Sequence, residues 1–214
     1  MRSVGIMGGT FDPIHHGHLV AAEAARYSFG LERVIFVPAA HPPHKGGREI
    51  TPLGHRYLMT VLATMANPFF DVSRVELDRE GPSYTVDTVK HFRSLDPGCE
   101  FFFITGTDAI LEICSWQSHE ELLDLCQFIA ATRPGYSPNA LSRLEAALGR
   151  ERMARVHTLE VPALAISSSD IRERVRNGQP VKYLLPETVE NYITKYCLYR
   201  EKGARVISGK EENE

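Results

Sequence analysis

Gly8-Gly9-Thr10-Phe11-Asp12-Pro13-Ile14-His15-His16-Gly17-His18 is the stretch that decides how this sequence folds. The apolar run Val4 to Met7 precedes it, and an alanine-rich stretch, Leu19 to Phe29, follows it. The order is strand, glycine-rich turn, helix, and Gly30 stands where a left-handed residue closes a helix. Such a turn brings backbone N–H groups to a helix start, where unsatisfied donors and the helix dipole both favour an anion. Gly8, Gly9 and Gly17 allow close approach of backbone to ligand, and Pro13 stiffens the loop. His15 and His18 flank the turn, so two imidazoles face the anion. Two histidines at this spacing also occur as metal ligands, but no cluster of Cys, Asp or Glu completes a coordination set nearby. The stretch reads as a phosphate-handling site.

Outward from the turn, apolar runs alternate with helical periodicities. Arg33 to Pro38 is a second strand, rich in β-branched residues. The polar loop 39–52 follows, its paired prolines and glycines excluding regular structure, and loops of that length tend to be functional or mobile. Leu53 to Met65 reads as helix, Phe70 to Leu77 as strand, and Thr85 to Leu95 as a helix with a Ser or Thr cap. Glu100 to Thr105 is the clearest buried strand and runs through Gly106-Thr107-Asp108 into a short helix. His119 to Leu125 is helical, Phe128 to Thr132 a strand, Pro138 to Leu148 a helix, and His157 to Val161 the last strand. Ser168 to Asn177, ended by Gly178, and Pro186 to Tyr196 are the final helices.

This alternation predicts an α/β chain: a Rossmann-like doubly wound parallel sheet with flanking helices and a small C-terminal helical part. Residues 1–200 are expected to form one domain, and the charged tail 201–214 is expected to fray. Ligands of such sheets bind beyond the carboxyl ends of strands, where strand order reverses. The informative polar residues lie there. His15 and His18 follow the first strand, His44 and Lys45 the second, Asp108 the strand at Phe101, Arg133 the next, and Ser168 the last.

Composition narrows the class. At 214 residues the chain supports one sizeable core. A net charge of -3 argues against a general nucleic-acid or anionic-membrane surface. The four cysteines form no CxxC pair, so they read as reduced thiols of a cytoplasmic protein. No window approaches the apolar length of a membrane span, and the glycines at 8 and 9 interrupt any signal-peptide core. Nothing in the pattern specifies an oligomeric state.

A second signal lies at the far end: Ile166-Ser167-Ser168-Ser169-Asp170-Ile171-Arg172. Serines here are ordinary helix caps. Arg172 is less ordinary, because the dipole disfavours a cation near a helix start by about 0.3–1 kcal/mol. A polyphosphate docked on the serine N–H groups would reverse that sign and make Arg172 a charge-assisted clamp.

GGTFDPIHHGH resembles the signature of the nucleotidylyltransferase superfamily, in which an HxGH element, here His15 to His18, binds nucleotide phosphates. The segment at Ile166 is similar to that family's ISSTxIR element, with Ser169 where Thr is usual. Pro82-Ser83-Tyr84-Thr85-Val86-Asp87-Thr88, Gly106-Thr107-Asp108 with Trp116, and Arg133-Pro134-Gly135-Tyr136 look like motifs of the bacterial nicotinate mononucleotide adenylyltransferases. That resemblance implies joining ATP to nicotinate mononucleotide with release of pyrophosphate, Mg²⁺ being carried with ATP. It implies catalytic roles for His15, His18, Lys45 and Arg172. ATP would lie on Gly8, Gly9, Thr10, Phe11, His18, Gly106, Asp108, Ile166, Ser168, Ser169 and Arg172. His44, Lys45, Tyr84, Thr85, Trp116 and Arg133 would hold the second substrate, and no metal-binding side chains are implied. A sister enzyme, acting on nicotinamide mononucleotide or phosphopantetheine or transferring a cytidylyl group, and a non-catalytic nucleotide sensor are the alternatives.

Overall fold

The computed structural model describes residues 2–42, 50–132, 139–162 and 164–200. Among them six strands form one sheet: β1 (Ser3–Gly9), β2 (Arg33–Pro38), β3 (Phe70–Val72), β4 (Glu100–Gly106), β5 (Gln127–Thr132) and β6 (Val156–Glu160). Their order is β3-β2-β1-β4-β5-β6 and every neighbouring pair is parallel. The chain winds outward from β1 in one direction, then returns to β4 and winds outward in the other. The switch point therefore falls between β1 and β4, where Gly5 pairs with Phe102. This is the doubly wound sheet the sequence implies.

Parity along β4 explains the two layers. Phe101 and Phe103 face a core built with Val86 and Val89 of α3 (Thr85–Leu95) and Leu122 and Leu123 of α5 (His119–Leu125). Phe102 and Ile104 face the other core, with Ala22 and Ala25 of α1 (His16–Ser28) and Met59 of α2 (Leu53–Thr64). Ile171 of α8 (Ser168–Arg176) and Val189 and Ile193 of α9 (Glu187–Lys195) join that second core. A strand apolar on both faces belongs in a sheet covered on both sides. The C-terminal helices thus return to the face of α1.

Two helices end as their glycines foretell. After α1, Gly30 takes φ +61, and the N–H groups of Gly30 and Leu31 return to the carbonyls of Tyr27 and Arg26. After α8, Gly178 takes φ +66, with Gly178 and Gln179 bonded back to Val175 and Arg174. Both are Schellman closures, which only a residue without Cβ enters at no steric cost.

Several boundaries differ from expectation. β1 continues through Gly8 and Gly9, because they stay in register with Val37 and Pro38. α1 begins at His16, ahead of the alanines. β3 stops at Val72, whereas the alternation predicted a strand to Leu77. The chain turns there because Leu77 and Asp78 both donate to the carbonyl of Arg74, which drives Glu76 inward. The short helix after β4 is α4 (Thr107–Leu111), continued by a 3-10 turn at Ile113–Ser115. Asn139–Leu148 is α6, and α7 (Arg150–Met153), which periodicity did not signal, follows it.

Candidate active site

Two cavities open at the carboxyl edge of the sheet and meet at β1 and β4, since Gly8 and Thr105 line both. The first, about 290 Å³, is walled by Gly9, Thr10, Tyr84, Thr85, Phe103 and Trp116. The second, about 370 Å³, is walled by His15, Gly17, His18, Gly106, Ile166 and Ser168. A Cβ on Gly8 would stand 2.9 Å from the Phe103 ring, so glycine at position 8 keeps this point of the shared floor clear.

The histidines are preorganised by the helix start. His15 is the N-cap of α1 and His18 its third residue, with the ring centroids 3.8 Å apart and 30° from parallel. The backbone N–H of His15 donates to His18 Nδ1 at 3.2 Å. In the neutral ring that leaves the proton on Nε2, so His18 presents a donor. Phe11 is buried and meets the His18 ring edge-on at 5.1 Å, fixing its plane from behind. A Cβ on Gly17 would press on the His15 ring at 3.0 Å.

Two of the N–H groups that the start of α1 offers to an anion are used inside the protein. His16 donates to the carbonyl of Leu184 at 3.1 Å, and His18 to that of His15 at 3.0 Å. The C-terminal segment supplies an acceptor that the turn alone does not reveal. At this end of the cavity both imidazole side chains line the wall.

The loop between β1 and α1 is held from behind. Arg56, 1% exposed, donates to the carbonyls of Thr10 at 2.8 Å, Ala39 at 2.7 Å and Thr51 at 2.8 Å. Burial pulls its guanidinium down from the usual arginine range, and the Asp12 charge pulls back. Arg172 donates to the carbonyl of Asp12 and, at 3.1 Å, to Ser169 Oγ. Ser168 Oγ donates to the carbonyl of Pro13 at 2.8 Å. Asp12 itself is 4% exposed, with Tyr199 Oη on Oδ1 at 2.8 Å. Arg172 is thus turned inward onto the loop, where the sequence had placed it as a phosphate clamp. Asp108 is exposed at the start of α4, beyond the Gly106 edge of the second cavity. His44, Lys45 and Arg133 lie outside the described residues.

The first cavity has a different character. Trp116 is half-buried and packs edge-on against Phe103 at 6.0 Å. Tyr84 is the N-cap of α3 and makes no side-chain capping bond, so the start of that helix opens on the cavity at Thr85. Asp87, the acid of that first turn, lines a separate outer groove with Arg74, Lys90 and His91. Glu76 lines the cavity wall, but Thr88 Oγ1 donates to its Oε1 at 2.7 Å and the Ala40 N–H to its Oε2 at 3.3 Å. Those bonds tie α3 to the segment after β2. The buried Cys126 is no nucleophile, its thiol pushed up to about 12 by burial. Among the described residues no three His, Cys, Asp or Glu side chains group as a metal site, and no helix is long and apolar enough to cross a membrane.

A six-stranded doubly wound sheet with a histidine turn at its switch point defines a nucleotide-handling α/β protein. The cytidylyltransferase-like family model matches residues 6–174, and the chain belongs to that family. It is 56% identical over 202 residues to the probable nicotinate-nucleotide adenylyltransferase of Thermoanaerobacter sp. (strain X514), covering 92% of this chain and 94% of that one. It is 59% identical over 200 residues to the protein of the same name from Moorella thermoacetica, covering 93% and 92%. The fold is similar to the nicotinic acid mononucleotide adenylyltransferase of Plasmodium falciparum complexed with NaAD. That match has TM-score 0.74 and 22% identity, over 93% of this chain and 98% of that one.

Proposed function

We propose that this protein transfers the adenylyl group of ATP to nicotinate mononucleotide, releasing nicotinate adenine dinucleotide and pyrophosphate. The observation that carries the reading is the pair of cavities joined at Gly8 and Thr105. A dinucleotide needs two nucleoside sites whose phosphates meet, and the lack of a side chain at Gly8 leaves room for that meeting. Relatives matching more than nine-tenths of the chain are named for this reaction.

An oxygen of the mononucleotide phosphate attacks the α-phosphorus of ATP. A new P–O bond forms as the bond to the bridging oxygen breaks, and pyrophosphate leaves with that electron pair. The attacking phosphate is already ionised near neutral pH, so no general base is required. Catalysis is in-line positioning and neutralisation of the charge that builds on the phosphates. His18, donating from Nε2, stabilises that charge, and His15 backs it. Ser168, Ser169 and Arg172 frame the phosphates from α8. Gly106 and Asp108 receive the adenosine; Trp116 offers the pyridine ring a face; Thr85 meets its carboxylate. His44, Lys45 and Arg133 lie outside the described residues, and the family resemblance assigns them to the second substrate, with Lys45 also catalytic.

When bound with ATP, magnesium would offset phosphate charge, and no group of three His, Cys, Asp or Glu among the described residues would be needed to hold it. Asp12, the carboxylate on the phosphate-facing loop, is already engaged by Tyr199. The protein acts in the cytoplasm, on small-molecule substrates and not on nucleic acid. The test is a pyrophosphate-release assay over a panel of acceptor phosphates, with the dinucleotide identified by mass. Turnover of phosphopantetheine in preference to pyridine mononucleotides would overturn the assignment.

A further inference from the structure

We infer that Tyr199 is a positioning residue for the phosphate-facing loop, acting through the carboxylate of Asp12; the inference rests on the adenylyl-transfer reading above. The phenol donates to Asp12 Oδ1 at 2.8 Å across 187 positions of sequence. The other oxygen, Oδ2, accepts from the Thr51 N–H at 3.4 Å and stands 3.9 Å from Arg172 Nη1. One carboxylate therefore gathers the loop after β1, the approach to α2, the first turns of α8 and the segment that follows α9. Burial, and then the Asp12 charge, push the phenol well above the usual tyrosine range, so it stays an O–H donor at neutral pH.

The backbone is bent to deliver that hydroxyl. After α9, Cys197 takes φ 50 and Tyr199 φ 65, both in the left-handed region without being glycine. Such a conformation is strained and persists only where its surroundings over-determine it. Here Leu198 supplies the anchor, its N–H on the carbonyl of Ile193 at 3.0 Å and its side chain on the core. The same device recurs nearby. Tyr183, at φ 67, precedes Leu184, whose carbonyl takes the His16 N–H. Phe11, at φ 48, lies on the loop itself. Phe11, Tyr183 and Tyr199 thus lie on this loop or beside its contacts, whereas Ser118, at φ 50, sits apart at the start of α5.

The physical consequence concerns charge. With the phenol in place, Oδ1 is held and partly neutralised behind the loop. Without it the carboxylate is free to close the 3.9 Å gap to Arg172 or to swing towards the phosphates it would repel. Neither Asp12 nor Tyr199 lines either cavity, so the effect reaches ATP through the loop: His15 follows it and Ser168 holds its Pro13 carbonyl, and both of these line the second cavity and not the first.

The test compares steady-state kinetics and unliganded Tm for Tyr199→Phe, Asp12→Asn, the double variant and Val189→Ala. Tyr199→Phe should lower kcat/KM for ATP about tenfold while KM for nicotinate mononucleotide changes by less than about twofold. In the Asp12→Asn background the same change should cost less than about twofold, since the bond partner is already altered. Val189→Ala, which opens a gap in the core under α9 away from the 197–199 segment, should lower Tm and leave kcat/KM for ATP near wild type well below that Tm. An unaltered kcat/KM for ATP in Tyr199→Phe overturns the inference. So does an equal loss in Val189→Ala, which would make the effect one of general stability. Absence of any dinucleotide from the wild-type protein would instead overturn the adenylyl-transfer reading beneath it.

Discussion

At the start of α1 the backbone donors are used inside the protein: His15 on the His18 ring, His16 on Leu184, His18 on the carbonyl of His15. At the start of α3 the N-cap Tyr84 contributes no side-chain bond, and Tyr84 and Thr85 face a cavity. α8 sides with α1, because Ser167 Oγ accepts from the Asp170 N–H at 3.1 Å. The N–H of the third residue meets the N-cap carbonyl in both α1 and α3, Asp87 on Tyr84 at 3.1 Å as His18 on His15. The difference is the further acceptor: α1 receives the Leu184 carbonyl and α8 its own Ser167 hydroxyl, whereas the Tyr84 side chain gives α3 none. On the proposed reading, side chains therefore dominate recognition at α1, and the backbone and the dipole at α3.

The sharpest way to break this contrast is His18→Ala. If side chains do the work at α1, removing the preorganised donor should lower kcat by about 10²–10³. Unliganded Tm should change little, because the ring lines a cavity rather than filling a core. A folded variant that turns over at near wild-type rate would return the phosphates to the backbone.

At α3 the prediction is one of specificity. A helix start prefers a carboxylate to a neutral carboxamide, whose NH₂ brings a donor against donors. Asp87 does not spoil that field, since it faces the outer groove, and Glu76 has both oxygens engaged. We expect kcat/KM for nicotinate mononucleotide to exceed that for nicotinamide mononucleotide by on the order of 10–100-fold at fixed ATP. Equal values would show that the start of α3 does not read the carboxylate.

These contrasts were unequally legible in the sequence. The sheet was legible because apolar runs at β1, β2, β4 and β5 alternate with helical periods, and neither needs a distant partner to be recognised. His15, His18, Tyr84, Thr85 and Trp116 were legible because they sit in local motifs. Arg56 was missed although it carries a signal: it shares the buried stripe of α2 with Met59, Thr60 and Ala63, where a cation needs an explanation. Glu76 was missed because period-two alternation from Phe70 disguised a turn as a strand. Tyr199 and the Leu184 carbonyl had no local signal. Their roles arise from pairings with Asp12 and His16 that only the folded chain creates.

Arg172 tests whether the closed end is also a structural one. Its guanidinium holds the Asp12 carbonyl and Ser169 Oγ, so Arg172→Ala should cost about 1–3 kcal/mol of unliganded stability as well as ATP use. Arg172→Lys should recover only part of both, because a point charge cannot hold two acceptors in a planar fork. The check is a denaturant melt without ligand beside kcat/KM for ATP. Full stability in Arg172→Ala with impaired ATP use would make the residue a pure phosphate clamp.

The smallest expected effect is the most discriminating for α3. Asp87 sits in the first turn, where an acid complements the dipole by about 0.3–1 kcal/mol, so Asp87→Asn should lower stability by that amount. Its carboxylate shares the outer groove with Arg74, Lys90 and His91, where water and neighbouring cations screen it. Removing its charge should therefore strengthen the field in the pyridine cavity only slightly. The acid-to-amide ratio of kcat/KM should rise, by less than about threefold. The sign follows from removing a negative charge near the bound carboxylate, and the size from the helix standing between them. A tenfold rise would mean that Asp87 senses the ligand directly, and that the open helix start is weaker than its geometry implies.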